Sequence, residues 1–547
     1  MRRNVLKVHQ DDNVLVALVD LKADEIVEYE GKEYKLKEAI PAKHKLFTDD
    51  IKVGGSVIMY GTLVGKTQCE VMTGQRMSTE NVKHAASPYH YRPFNYQWDA
   101  PDVSKFVGRT IDGYHRSDGR VGTANYWLFI PTVFCENRNL DVIKEALYSE
   151  LGYDVTDKYK TKVRLLKELY LDGKNVESAN LSITEAIVPV DRLFKNVDGI
   201  KFLNHQGGCG GIRQDSEVLS KLLAAYADHP NVAGVTLLSL GCQNLQVKDF
   251  LRDLKERNPA FDKPLHIFEQ QQSTSEEQLI TDAIHQTFLS LVAANQLTRQ
   301  PAPLSHLTIG VKCGGSDGFS GISANPAVGH CSDLLVALGG RVLLAEFPEL
   351  CGAEQDIIDR TEDEFAARRF IELMSAYSRA AENAGSGYHM NPSPGNIRDG
   401  LITDAIKSNG AAKKAGLSPV VDVLDYTEPS LKSGLNLVCT PGNDVEATTG
   451  QAASGANLIL FTTGLGTPTG NPICPVIKVA SNTKLAERMK DIIDIDCGPI
   501  IAGEKTIEEM GEDILEYCIK VASGLVVPHA VRLNQDDFIP WKRGVSL

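Results

Sequence analysis

No apolar run in this 547-residue chain approaches the roughly 18 residues that cross a bilayer. No leader-like apolar stretch follows the opening MRRNVLKVHQDDN, so a cytoplasmic protein without a membrane partner is expected. Basic charge is in short supply. With 57 Lys and Arg against 71 Asp and Glu the net charge is −14, which disfavours nucleic acid and anionic lipid as partners. Eleven cysteines, an odd number in so long a chain, make no disulfide framework. Neither GxGxxG at a strand–helix junction nor GxxxxGK[ST] occurs, which leaves a dinucleotide or P-loop site unsupported. Internal repeats, coiled-coil heptads and low-complexity tracts are also missing. What remains, 42% hydrophobic and 23% charged residues, is an ordinary globular composition at a length that implies two to four domains.

The pattern along the chain changes twice. Residues 1–95 read as all-β, with short β-branched segments (VLVALVDL, EIVEYE, KEYKLK, SVIMYGTLVG) between Gly, Asp and Lys turns. An aromatic, proline-bearing connector near 87–107 leads into a unit over 96–298. There strands (YWLFIPTVF, GIKFLN, VAGVTLLSL) alternate with amphipathic helices (LDVIKEALYSEL, SEVLSKLLAAYADH, VKDFLRDLKERN). NQLTRQPAPLSH breaks the alternation. A second α/β unit over 299–547 then carries LTIGVK, RVLLAEF, VVDVLDY, LNLVCT and LILFTTG as strands.

Three strands end in Gly-Cys turns: GIKFLNHQGGCGG with Cys209, VTLLSLGCQN with Cys242 and LTIGVKCGGSDG with Cys313. Three more run into small-residue loops, VLLAEFPELCGAE, LNLVCTPGND and LILFTTGLGTPTG. The stretch from Gly310 to His330, rich in Gly and Ser, reads as a segment that builds no hydrophobic core. Open α/β sheets bind ligands beyond the carboxyl ends of their strands, and Gly/Ser/Thr loops there bring N–H and hydroxyl groups to an anion. Six such loops imply one pocket for a small, oxygen-rich anion. A single cysteine after a strand is an ordinary small core residue. Its threefold repetition points instead to thiolates holding iron or zinc with a position open to substrate, and both a mononuclear ion and an iron–sulfur cluster fit that pattern. His9 in VHQDDNV and His44 in IPAKHK form a rival ligand pair suited to Fe or Mn.

With these residues collected, the chain resembles the altronate/galactarate dehydratase family along nearly its whole length. VHQDDNVLVAL, IPAKHK and MYGTLVGK resemble the family's small β-clip (SAF-type) domain. GYHRSDGRVGTANYWLFIPTVFCEN, NHQGGCGG, LSLGCQN and EQQQ match its central domain, and KCGGSDGFSGISANP, EFPELCGAE, NPSPGN, TPGND and FTTGLGTPTGNP its C-terminal one. The resemblance implies a β-clip domain followed by two α/β domains. It also implies loss of water from a sugar acid in hexuronate catabolism, altronate becoming 2-keto-3-deoxygluconate through an enol with divalent iron or manganese. Galactarate dehydration, a sulfo-lyase acting on sulfolactate and an inactive sugar-acid-binding homologue are the alternatives. The departures fall at motif positions. Lys43 stands where the family commonly has Gly, Ser78 and Glu80 replace two histidines, and Ala124 and Leu465 replace arginines. Gln243 and Ala405 replace acids.

The chemistry requires a neutralised carboxylate, a base for the α-proton and an acid for the departing hydroxide. Cys209, Cys242 and Cys313 are the expected metal ligands, with His9 and His44 as the alternative set. The metal would stabilise the enediolate as a Lewis acid. Gly314, Gly315, Ser316 and Asp317 are expected to hold substrate oxygens, and Arg116 to pair with the carboxylate through its bidentate guanidinium. His205 and Glu349 are expected to carry the proton transfers, with Lys478 in reserve. Homo-oligomerisation is the default for an enzyme of this kind.

Overall fold

A computed structural model describes residues 3–182 and 191–544. Short antiparallel ladders fill the N-terminal module: Val5–Leu6, Val14–Ala17 and Lys45–Phe47 in one sheet, a hairpin of Ile26–Tyr29 with Lys32–Lys35, and a sheet of Ser56–Met59, Thr62–Thr67 and Val82–His84. Two of its turns are two-residue loops with positive φ at both positions, Glu30–Gly31 and Tyr60–Gly61, the geometry that matches the twist of the flanking strands. One small core, around Leu15, Leu36 and Leu46, belongs to the module alone. A second joins Val57, Met59 and Val64 to Phe319, Ile322, Leu401 and Ile402 from the far end of the chain.

The central unit is a four-stranded parallel sheet ordered Gly199–Phe202, Tyr126–Pro131, Val232–Ser239, Leu265–Glu269. Its two middle strands are buried throughout, as strands covered on both faces must be, which is why they read as unbroken apolar runs. Helices Asn137–Leu151 and Glu276–Ala294 cover one face and help build a core around Trp127, Phe129 and Phe202. The other face, with Arg213–Asp228, shares a core with the C-terminal unit that runs from Leu128 and Leu237 to Ile459 and Phe461.

The C-terminal unit is a seven-stranded parallel sheet ordered Val420–Leu424, Gly434–Val438, Arg341–Leu344, Thr308–Cys313, Leu458–Thr463, Val476–Ala480, Ile495–Asp496. Winding goes first to one side of Thr308–Cys313 and then to the other. The reversal between Thr308–Cys313 and Leu458–Thr463 is where such sheets place ligands, outside the carboxyl ends. Gln300–Pro303 pairs antiparallel with Thr110–His115, so the two α/β units are joined by a sheet as well as by packing. The fold class agrees with expectation: an all-β module followed by two α/β units.

The expectation for Gly310 to His330 is corrected. Helix Ala324–Ala337 begins inside that stretch, and Phe319, Ile322, Ala324, Ala327 and Val328 all enter hydrophobic cores. Small residues there allow close packing rather than preventing it. Gly329, for instance, lies where a Cβ would meet the Lys413 carbonyl oxygen at 2.1 Å. Among the described residues no helix is long and apolar enough to cross a membrane.

Candidate active site

Strand Thr308–Cys313 is buried at every position, yet its fifth residue is a lysine. An ammonium in a central strand has to be paired, because an isolated buried charge is prohibitively costly. Lys312 Nζ contacts the Glu346 carboxylate, lies 2.7 Å from Asp444 Oδ1 and donates to the Cys313 carbonyl. Glu346 follows strand Arg341–Leu344 with φ at +69°, a left-handed conformation strained for a glutamate, and its amide is held by Thr440 Oγ1 at 2.9 Å. Glu349 sits in the next turn, Phe347–Leu350. Its Oε1 is 2.7 Å from Lys407 Nζ and its Oε2 3.5 Å from Cys313 Sγ. Lys407 also donates to Asn391 Oδ1 at 2.9 Å. Lys414 donates to Cys313 Sγ at 2.8 Å. Three ammoniums, three carboxyl groups and one thiol thus meet at the carboxyl edge of the sheet.

Their electrostatics divide the two glutamates. Burial and the adjacent Glu349 push Glu346 up to about 8. Burial acts on Glu349 in the same sense, but Lys407, Lys312 and Lys414 outweigh it and hold this carboxyl well below the usual carboxylate range. Burial opposes the Lys312 ammonium, and Glu346 with Asp444 more than restores it. Burial pushes the Cys313 thiol up against the pull of Lys414. Lys478, on strand Val476–Ala480 two places along the sheet from Thr308–Cys313, is different in kind. Its Nζ lies 3.5 Å from the centroid of the Phe461 ring and, among the described residues, has no hydrogen-bond partner. Burial lowers it to about 7, so much of it is a neutral amine at neutral pH.

The turn after Cys313 is tightly fitted. A Cβ on Gly314 would lie 2.5 Å from the Asp444 carboxylate, and Gly315 adopts φ +58° while its carbonyl accepts from Gly464 and Leu465. The Ser316 carbonyl accepts from Asn396 Nδ2 at 2.7 Å. Asp317, expected to hold a substrate oxygen, has its carboxylate engaged within the protein. Fully buried, it accepts from the Phe319 and Ser320 amides, the Ser320 and Ser481 hydroxyls and Asn482, and it pairs with Lys43 at 3.0 Å. Lys43 reaches in from the N-terminal module and also meets Asp399 at 2.8 Å. It holds φ at +76°, which accounts for the glycine common at this position in the family it resembles. His44 beside it contacts the Arg398 carbonyl through Nε2 at 3.0 Å, and burial pushes its ring down. His9 stays in its own turn, 3.6 Å from Asp11.

The other expected site residues are distributed as follows. Cys209 and Cys242 are exposed at the carboxyl edge of the four-stranded sheet, whereas Cys313 is enclosed in the other unit. Among the described residues, potential ligand atoms come within 4.8 Å of one another in two triads, Cys313–Glu346–Glu349 and His84–Cys351–Asp404. Neither triad contains Cys209, Cys242, His9 or His44. Arg116 lies at the opposite, amino edge of its sheet, where it donates to the Pro230 and Ala124 carbonyls and to Asn125. His205 lines a 370 Å³ cavity with Cys209, Asp215 and Phe538, but both ring nitrogens are taken by main chain: Nε2 by the Pro131 carbonyl at 2.8 Å, Nδ1 by the Gly207 amide at 3.0 Å. Burial, against the Pro131 contact, lowers it to about 4, so it stays neutral at neutral pH.

Family models match three consecutive segments of the chain: an altronate/galactarate dehydratase SAF domain over residues 3–85, a D-galactarate dehydratase/altronate hydrolase second domain over 113–295, and a D-galactarate/altronate dehydratase C-terminal domain over 304–546. The chain belongs to the altronate/galactarate dehydratase family. It is 32% identical to the altronate dehydratase of Bacillus subtilis, with all of both chains covered, and 33% identical to that of Escherichia coli over 99% of each. It is also 32% identical to the Escherichia coli galactarate dehydratase (L-threo-forming), over 95% of this chain and 92% of that one. The protein is a hydro-lyase of the sugar-acid dehydratase type.

Lys312, Glu346, Lys407, Lys414 and Asp444 were not singled out from the sequence. One signal was available: a lysine inside an unbroken apolar strand, as in LTIGVKC and PVIKVA, must have buried partners.

Proposed function

We propose that this enzyme removes water from D-altronate, giving 2-dehydro-3-deoxy-D-gluconate, at the lysine–carboxyl cluster on the carboxyl edge of the seven-stranded sheet. The observation that carries the proposal is a carboxyl kept protonated, Glu346, against Lys312, and an amine kept neutral, Lys478, over the same Phe461 ring that Lys312 approaches. Environments that drive two titratable groups apart in this way mark an acid and a base. The likeness to two altronate dehydratases over nearly the full length of each supports the substrate.

Lys312 and Lys407 neutralise the sugar-acid carboxylate, which acidifies the proton at C2. The Lys478 amine takes that proton. Glu346 gives its proton to the hydroxyl leaving C3 as water, and the resulting enol ketonises to the 2-keto-3-deoxy acid. Glu349 acts as a positioning residue that orients Lys407, because a carboxylate held so acidic by three lysines is a poor base, and Asp444 orients Lys312 through their direct contact. Divalent iron or manganese, when bound, supplies Lewis-acid stabilisation of the enediolate. The Cys313 triad does not fit such an ion, since each of its ligand groups already faces an ammonium: Lys414 on Cys313, Lys312 on Glu346 and Lys407 on Glu349. The donor set of His84, Cys351 and Asp404 does fit.

With D-altronate as substrate and the 2-keto-3-deoxy acid followed as product, Lys478→Met and Glu346→Gln are each expected to lower kcat at least about 100-fold with unfolding unchanged. The wild-type kcat/KM profile should rise near pH 7 as Lys478 deprotonates and fall near pH 8 as Glu346 does. K478M should lose the acid limb and E346Q the alkaline one. A loss of less than tenfold in K478M removes that lysine from the mechanism, and turnover of galactarate but not altronate reassigns the substrate.

A further inference from the structure

Beside the lysine–carboxyl cluster, three elements from opposite ends of the chain converge. Strand Val82–His84 of the N-terminal module ends in His84, the turn after Phe347–Leu350 carries Cys351, and helix Asp404–Ala412 begins with Asp404. One ligand atom from each lies within 4.8 Å of the other two. Asp404 is 1% exposed. Its Oδ1 is 3.4 Å from the Ser408 hydroxyl, its Oδ2 is buried, and its one further side-chain partner among the described residues is the Cys351 thiol itself. The nearest ammonium on the same helix, Lys407, is committed to Glu349 and Asn391. The Ala405 amide donates to His84 Nδ1 at 3.3 Å, a long bond that sets the ring against the first turn of that helix and that a metal at this nitrogen would displace.

We propose that His84, Cys351 and Asp404 bind one divalent transition-metal ion of borderline softness, such as Zn²⁺, Fe²⁺ or Co²⁺. An imidazole, a thiolate and a carboxylate together select such a metal over Mg²⁺ or Ca²⁺, which take oxygen ligands. Metal–ligand bonds of about 2.0–2.3 Å bring the three atoms onto one ion after small side-chain adjustments. Three protein ligands leave a position open, as in catalytic rather than structural sites. The contrast with the Cys313 triad is chemical. There each ligand group already contacts an ammonium, whereas the ammonium nearest Asp404 is engaged elsewhere. The site also requires both ends of the chain, so metal would fasten the N-terminal module to the C-terminal unit. The assignment rests on this geometry and not on the identity of the sugar acid.

The test uses the full-length protein, stripped of metal with a chelator and titrated with Co²⁺. One ion per chain is expected, with a near-ultraviolet thiolate-to-cobalt charge-transfer band and the visible bands of a low-coordinate site. Cys351→Ser should abolish the charge-transfer band, and His84→Ala and Asp404→Asn should each weaken cobalt binding at least about tenfold. The double variant Cys209→Ser/Cys242→Ser should keep the band intact. Thermal unfolding of each metal-free variant, unchanged from the metal-free parent, confirms folding. A band that survives Cys351→Ser, or one lost in the Cys209/Cys242 variant, overturns the assignment, as does failure of the parent protein to retain cobalt. None of these readouts depends on turnover, so they separate this site from the dehydratase proposal.

Discussion

At the carboxyl edge of the four-stranded sheet, Cys209 and Cys242 lie in solvent, and His205, which lines a cavity with Cys209, is tied down by main-chain groups. At the corresponding edge of the seven-stranded sheet, Cys313 is enclosed by Lys414, Glu349 and the Lys312 pairings. The same short signal, an apolar strand running into a Gly-Cys turn, produces both. What separates them is how much charge each edge takes out of water. Burying ion pairs is a poor route to stability, because apolar residues of equal volume do as well or better. A sheet edge that keeps three ammoniums and three carboxyl groups together is therefore better understood as chemical equipment than as scaffolding.

The largest effect that could break this comparison comes from a matched pair of lysines, each inside a buried strand. Lys312 faces Glu346 and Asp444, whereas Lys201 in strand Gly199–Phe202 faces, among the acids of the described residues, Asp536 at 2.7 Å and lies over the Tyr126 ring. Lys312→Met should lose about 3–5 kcal/mol of stability in urea unfolding, because Asp444 is left without its counter-charge and the buried Glu346 without its polar partner. Lys201→Met should lose on the order of 1–3 kcal/mol, one charge-assisted bond. Equal losses would mean that the two edges do not differ as described.

A second test concerns pH. His205 has a folded-state pKa of about 4, below the roughly 6.5 of an unfolded histidine, so the unfolded chain binds more protons between those values. The stabilisation from its neutral form is present above pH 6.5 and is lost as pH falls toward 4. His205→Asn should flatten the acid side of a stability-against-pH curve relative to the parent, while leaving kcat at pH 7.5 within tenfold. A collapse of kcat would return this histidine to the reaction.

The smallest expected effect is at Lys43. Lys43→Gly removes the pairing to Asp317 and Asp399 but relieves a left-handed backbone, so the net change should stay within about 1 kcal/mol. Lys43→Ala should be the worse of the two by about 1 kcal/mol, because alanine keeps the strain and also loses the charge. Thermal unfolding of the two variants side by side decides it.

Much of this architecture could be read in advance. Buried strands such as YWLFIP and LILFTT stand out as unbroken apolar runs, and the change from short β segments to strand–helix alternation marks the end of the first module. Helix Asp157–Leu171 and strand Leu265–Glu269 escaped notice, the first for its many charges and the second because it is short and only half-buried. Helix Ala324–Ala337 was hidden by the glycines and serines that precede it. In the proposed site, Cys313 was legible at a strand end, Glu349 in a proline-bearing turn after one, and Lys478 as a lysine in PVIKVASN. Their partners were not, because pairing depends on the third dimension: Lys312 and Asp444 are 132 positions apart, and no local spacing joins them.

The ties of Lys43 to Asp399 and of Val64 to Thr403 also set a timetable. Those partners lie 356 and 339 positions further along the chain. At a synthesis rate of about 5–20 residues per second, the N-terminal module emerges roughly 20–70 s before the surface it will rest on exists. Through that interval the face carrying Val57, Met59 and Val64 has no cover, and the private core around Leu15, Leu36 and Leu46 must hold the module together. The first part of the protein to be made is among the last to be put in place.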